Sequence, residues 1–383
     1  QVTEDAQNYN LSVIPLFILM GVFIYRSDIS ADLYDAAYAA LGRFKGGLAL
    51  ATVLACGGFS AVCGSTLATA ATMSKVAMPQ MKAYNYSDKL AAGTIAAGGT
   101  LGIMIPPSGP LVIYGITAEV DIGLLFIAGI LPGIMLVILF LLTVAVMVRL
   151  DPNAAPDAAE LEADRKRKAI RGTTPVLVLF VIVLGGIYGG MFTPTEASGI
   201  GATGAAVIAI LRGHLRTLSE WRSCLVDTAM TTAKIFIVLF GAVVFTQFIN
   251  MSGMPYDLLD IVDDWEMNGA QLIIFICVIA LLMGMVFETI GIIVLLVPVF
   301  LPALYALGVD MIWFGIIVVL VIEIGLITPP IGMNVFVVKS VLPMVRLADI
   351  FRGVGFYVIA LGLGLIAVYS FPSIATFLPS IAR

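Results

Sequence analysis

The sequence encodes an all-α polytopic membrane protein with an inverted-topology repeat, two re-entrant helical hairpins and two helices broken at Pro-Pro. Apolar runs along the whole length, a Gly/Pro-interrupted segment that occurs twice, and a lopsided placement of charge point to it. Of 383 residues, 60% are hydrophobic and 12% charged, with a mean hydropathy of +1.07, far from a soluble composition. Runs of ~20 apolar residues recur, each long enough to cross ~30 Å of hydrocarbon.

The first membrane helix is expected at 11–26, followed by an amphipathic interfacial helix at 30–43, "SADLYDAAYAALGR". The apolar stretch 46–79 is interrupted by "FSAVCGSTLATAA" and reads as two half-helices meeting at a tip of Gly64, Ser65 and Thr66. The segment 88–118 has the composition of one helix, yet Pro106 and Pro107 stand in its middle. Two prolines remove two backbone donors and break it. Further helices are expected at 124–149, 174–192, 197–212 and 233–250, with a polar loop at 151–171. The stretch 270–304, interrupted by "MGMVFETIGII", reads as a second hairpin. A second broken helix at 311–341 and a last helix at 350–376 complete the chain.

Charge tests this layout. The loop 151–171 carries Arg165, Lys166, Arg167, Lys168 and Arg171, so the positive-inside rule makes it cytoplasmic. If both hairpins re-enter, the arginines at 26, 43, 149, 212, 216, 222, 346 and 352 and the lysines at 45, 75, 82, 89, 234 and 339 join it. Only Arg383 falls outside. The outer side receives Glu119, Asp121, Asp257, Asp260, Asp263, Asp264, Glu266 and Asp310. Five crossings separate the hairpins, so the first opens to the cytoplasm and the second to the outside.

The broken segment has a twin. "GIMIPPSG" at 102–109 matches "GLITPPIG" at 325–332, and the same offset sets Pro79 on Pro302 and Thr66 on Thr289. Landmarks in register with opposite topology make an inverted repeat, the architecture of secondary transporters with a site at the repeat interface. Irregular backbone at membrane depth is tolerated only where protein or a water-filled cavity satisfies it. Carbonyls freed by Pro-Pro, close backbone approach at Gly102 and Gly325, and hydroxyls from the tips form a hard oxygen cage for a small cation. Half-helix N-termini nearby favour an anion.

Other chemistries find little support. Cys56, Cys63, Cys224 and Cys277 lie far apart, and His214 is the single histidine, so a metal or nucleophile constellation lacks partners. There is no phosphate loop and no nucleic-acid signature. An intramembrane acid pair of Glu288 and Glu323 lacks a partner motif. A passive channel needs a continuous pathway, which inverted hairpins closing on a midplane site do not provide.

At these residues the chain resembles the large membrane subunit of the tripartite ATP-independent periplasmic (TRAP) transporters. The resemblance rests on "IPLFILMG" at 14–21, "GIMIPPSGPLVIYG" at 102–115, "AGILPGIML" at 128–136, "GGIYGGMFTPTEAS" at 185–198 and "EIGLITPPIGMNVFVVK" at 323–339. It implies an elevator-type importer in the bacterial inner membrane, driven by sodium through two or more bound Na+ ions. It implies an organic acid delivered by a soluble periplasmic binding protein, a small four-helix membrane subunit as partner, and a periplasmic C-terminus. It also leads to the expectation of further hydrophobic sequence before Gln1. A sodium- or proton-coupled dicarboxylate carrier without a binding protein is the alternative.

Under this reading the substrate meets Ser65, Thr66, Pro107, Ser108, Thr289 and Asn334. Sodium meets Gly64, Ser65, Gly102, Glu288, Thr289, Gly325, Thr328 and Pro329. Each has a structural alternative. Glu288 and Glu323 can bond hairpin backbone amides, the hydroxyls can pack helices, and Asn334 can be a packing amide. Glu196 reads as a helix-start residue beside a Thr193 or Thr195 cap, and Lys234 and Lys339 as lysines snorkelling to the cytoplasmic surface. The moving part is expected at 46–118 and 270–342, and the static scaffold at 1–45, 119–269 and 343–383.

Overall fold

Helices in this chain break at Gly64-Ser65 and at the two Pro-Pro pairs, and many begin at a capping side chain. A computed structural model describes residues 9–156 and 163–382, and its regular elements there are helices alone. Helix α1 (Val13–Arg26) turns by 71° into α2 (Ile29–Leu41) through Asp28, which is left-handed at φ 55°. The expected first hairpin is α3 (Gly47–Cys63) and α4 (Thr66–Ala83). Gly64 turns the tip at φ 60°, and Ser65 Oγ accepts from the Ala68 N–H. The first broken helix is α5 (Asp88–Thr100), a 3-10 turn (Leu101–Ile103) and α6 (Gly109–Thr117).

Next come α7 (Ile122–Leu150), capped by Asp121, then α8 (Ala163–Tyr188) and α9 (Pro194–Leu211). Thr193 and Glu196 form a capping box: the Thr193 N–H donates to Glu196 Oε2 at 2.8 Å, and the Glu196 N–H to Thr193 Oγ1 at 3.2 Å. Such a box satisfies two orphan donors of a helix start, so Thr193 rather than Thr195 is the cap. Helix α10 (Leu218–Ser252) leads to α11 (Met254–Asp264). The second hairpin is α12 (Gly269–Gly284) and α13 (Thr289–Ala306), and the second broken helix is α14 (Met311–Ile327) and α15 (Met333–Val341). Helices α16 (Leu347–Ser370) and α17 (Ser373–Ala382) end the described chain.

Four boundaries differ from the sequence expectation. Part of the polar loop, 163–171, is the start of α8; the stretch 157–162 lies outside the described residues. Helix α10 begins at Leu218 rather than 233, because a charged face does not stop a helix that hydropathy alone would not extend. Helix α11 is an added short amphipathic element. Phe371 and Pro372 split the expected 350–376 helix into α16 and α17. Six described helices are long and apolar enough to span a bilayer, or seven with the bent α1–α2 pair, whereas α14 is among the shorter ones.

The order and size of elements recur. Helices α2 to α6 have 13, 17, 18, 13 and 9 residues, and α11 to α15 have 11, 16, 18, 17 and 9. Helices α1, α8, α9 and α10 form one packed set, α7 and α16 pack around the two broken helices, and α2 packs on both the first hairpin and α8. Between α5 and α16 the backbones nearly touch: a Cβ on Gly93 would lie 2.6 Å from Gly353 Cα.

Candidate functional site

Each proline in a break removes the N–H that an α-helix would give to the carbonyl four residues back. Pro107 thereby deprives Ile103, and the Ser108 hydroxyl donates to that carbonyl instead, at 2.5 Å. The same oxygen accepts from the Leu111 N–H at 3.3 Å, so buried Ser108 mends the first break and caps α6. The second break is mended differently. Thr328 Oγ1 donates to the Ile324 carbonyl at 2.6 Å, and the Thr328 N–H goes to Gly325 at 3.0 Å. Pro106-Pro107 and Pro329-Pro330 are both cis.

Each hairpin tip rests on its own break. A Cβ on Gly102 would lie 2.9 Å from the Ser65 carbonyl oxygen, and one on Gly64 would lie 3.0 Å from that of Pro107. In the second half, a Cβ on Gly325 would lie 2.6 Å from Gly284 Cα, and the Gly332 N–H donates to the Met285 carbonyl at 3.4 Å. Asn334 joins the halves: Nδ2 donates to the Ala96 carbonyl at 3.3 Å, beside Gly99. Buried polar atoms remain without hydrogen-bond partners around this centre. They include Thr69 Oγ1, Asn334 Oδ1, Thr289 Oγ1 and both carboxylate oxygens of Glu323, and leaving such atoms unsatisfied is costly.

In front of the tips opens a cavity of about 650 Å³. Of the residues expected at the site, Gly64, Ser65, Thr66, Pro107 and Glu288 line it. Gly102, Ser108, Thr289, Gly325, Thr328, Pro329 and Asn334 are outside its lining; all but half-buried Thr328 and exposed Pro329 belong to the packed layer of tips and breaks. Glu288 caps α13, its Oε2 accepting from the Ile290 N–H at 3.0 Å. Glu323 is fully buried inside α14. The donors here are mostly hydroxyl and carbonyl oxygens, a hard set that suits an alkali cation better than a transition metal.

Sequence reasoning missed one wall of this cavity. Helices α1 and α10 supply it, with Phe17, Met20 and Tyr25 from the first and Thr231, Lys234 and Val238 from the second. Lys234 was expected at the membrane surface because α10 was expected to begin at 233. With the helix starting at Leu218, Lys234 falls in its middle and on the cavity. An i, i+3, i+4, i+7 pattern of Thr231, Lys234, Ile235 and Val238 was the available signal.

Residues 1–374 match the DctM component of the tripartite ATP-independent periplasmic transporter family. The chain is 35% identical over 379 residues to the C4-dicarboxylate TRAP transporter large permease protein DctM of Pseudomonas aeruginosa, covering 98% of this chain and 88% of the relative. It is 32% identical to the ectoine TRAP transporter large permease protein TeaC of Halomonas elongata, covering 100% of this chain and 89% of that one. Among solved structures, the YdaH transporter of Alcanivorax borkumensis shares the fold. Its TM-score is 0.63 at 14% identity, over 96% of this chain and 84% of that one.

Proposed function

The chain belongs to the tripartite ATP-independent periplasmic transporter family as its DctM component, and on that premise we propose that it imports an organic acid by sodium-driven movement of one helical block past another. The observation that carries this reading is the cavity at which the first tip, the first break and Glu288 of the second tip meet. A substrate there touches both halves of the repeat.

Sodium is assigned to two positions. One lies where Gly102 meets Ser65, the other where Gly325 meets Gly284 near Thr328 and unpartnered Thr289 Oγ1. Both offer carbonyls freed by proline and a nearby hydroxyl. The moving block comprises the two hairpins and the two broken helices. The packing of α7 and α16 on that block, with Gly93 locked against Gly353, argues that they travel with it. The static part is then α1 and α8 to α10, with α2 and α11, which pack on both sides, as connecting arms; this differs from the division expected from sequence. Inverted topology supplies the symmetry for alternating access.

The partners are a soluble periplasmic binding protein and a small four-helix membrane subunit. Helix α10 leaves Ile237, Val244, Phe248 and Met251 exposed by 71%, 62%, 67% and 86%, an apolar face open to lipid or to that subunit. The substrates for which two relatives at similar identity are named, a C4-dicarboxylate and ectoine, leave the acid open within its class. The chain sits in the inner membrane with its C-terminus outside.

The test is uptake into proteoliposomes holding both membrane subunits, with a panel of labelled organic acids. Accumulation should require an inward sodium gradient and a binding protein. Equal uptake without sodium, or without any binding protein, would contradict the reading.

A further inference from the structure

Lys234 stands near the midpoint of α10 (Leu218–Ser252). The nearest charged residue on that helix is Asp227, seven positions away, or about 10 Å at the helical rise. Asp227 is committed to Arg26, at 2.6 Å. Lys234 makes no ion pair or hydrogen bond with a described residue. A cation within an apolar helix is expensive and marks function by default, facing a partner or a water-filled cavity. Here it faces the cavity in front of the tips.

Lys234 and Glu288 are the two charged residues lining that cavity. They are not equivalent. The Glu288 carboxylate accepts from the Ile290 N–H at 3.0 Å, at the N-terminus of α13, where the helix end carries partial positive charge. Its charge is already answered within its own helix. The Lys234 ammonium is unanswered. The remaining polar side chains on the wall, Ser65, Thr66, Thr72 and Thr231 among them, are neutral hydroxyls.

We propose that Lys234 is the anion-recognition residue of this cavity and binds a carboxylate of the transported acid. This rests on the proposed function for the nature of the ligand, and on the geometry for the residue. A point charge on a flexible stem suits carboxylates presented at varied angles, where a planar guanidinium would demand one. The cavity volume lies within the range of small-molecule sites.

Cys63 lines the same cavity and serves as a native reporter once Cys56, Cys224 and Cys277 are replaced by Ala or Ser. The full chain with its membrane partner, in proteoliposomes, is treated with an anionic sulfonatoethyl and a cationic trimethylammonioethyl methanethiosulfonate. The ratio of the two rates reports local potential, because any change in thiolate fraction cancels. Lys234→Gln should lower the anion-to-cation ratio about tenfold, the lower end of what a charged cleft does to local ion concentration. Lys234→Arg should preserve it. Succinate should slow labelling of Cys63 with Lys234 present and lose that effect in Lys234→Gln. An unchanged ratio in Lys234→Gln, or a Cys63 that reacts with neither reagent, overturns the proposal. If the ratio falls but no organic acid is accumulated by the wild type under a sodium gradient, the proposed function fails and the anion site stands.

Discussion

Replacing Gly325 by Ala probes the junction between the second tip and the second break. The new Cβ would lie 2.6 Å from both Cα and C of Gly284, about 0.9 Å short of the ~3.5 Å at which carbon atoms rest. Both neighbours are backbone, so no side chain can rotate away. Overpacking of this kind costs roughly 1–3 kcal/mol, offset by about 1 kcal/mol from the better helix propensity of Ala. A shift of most of an ångström exceeds the roughly 0.2 Å tolerance of coordination distances. The sodium concentration for half-maximal uptake should therefore rise about tenfold, equivalent to ~1.4 kcal/mol. Gly93→Ala is the matched control, since its Cβ would meet Gly353 at the same 2.6 Å, away from the tips. Gly291→Ala is the neutral control, with nothing within 4 Å. Thermal unfolding and uptake are followed across a sodium titration. Gly93→Ala should lower stability without moving the sodium midpoint, and Gly291→Ala should change neither. Equal sodium midpoints for Gly325→Ala and Gly93→Ala would refute the placement of an ion at this junction.

Three other outcomes are expected. Ser65→Ala and Thr328→Val should each raise the sodium requirement for uptake about tenfold or more, roughly the loss of one charge-assisted ligand; unchanged sodium curves in both would remove these hydroxyls from the sites. Cysteines placed at Lys82 and Asp264 should label from the cytoplasm and the outside respectively; labelling of both from one face would overturn the inverted repeat. Arg212 holds Asp32 of α2, and donates to the Gly172 carbonyl at 2.5 Å and that of Ser27 at 3.2 Å. Arg212→Ala should destabilise the protein by about 2 kcal/mol, the scale of lost charge-assisted hydrogen bonds, and unfolding at the wild-type midpoint would show the clasp to be idle.

The breaks and tips were legible because their causes are local. A proline lacks its N–H wherever it sits, and Gly64 followed by Ser65 stops one helix and caps the next. That a threonine caps the helix at Glu196 was legible for the same reason, although the choice of Thr193 over Thr195 needed the structure. The start of α10 was not. Its first turns carry Glu220, Arg222 and Asp227, and a hydropathy scan takes charge as the end of a span although a charged face continues a helix well. That error displaced Lys234 from mid-helix to the surface and hid the part of the cavity wall that α10 supplies, Thr231, Lys234, Ile235 and Val238. The partner of α16 was hidden for a different reason. In a membrane an apolar surface faces lipid or protein alike, so periodicity does not reveal that Gly353 packs on Gly93. Ser108 was expected at the substrate, and its hydroxyl donates to Ile103 and accepts from Leu111, away from the cavity lining. A break's repair and its ligand draw on the same residue types, and sequence does not separate them.

Movement of one block past the other is tested most directly by tying the blocks together. Ala61 of the first hairpin and Leu179 of α8 line one narrow crevice of about 10 Å³, with Met20, Pro107 and Val183. In a background free of other cysteines, Ala61→Cys with Leu179→Cys is bridged by mercuric ion in proteoliposomes. The bridge should abolish sodium-driven uptake, a thiol reductant should restore it, and sodium should still stabilise the bridged protein against heat. Full uptake by protein bridged to completion would show that transport proceeds without displacement of the hairpin against α8.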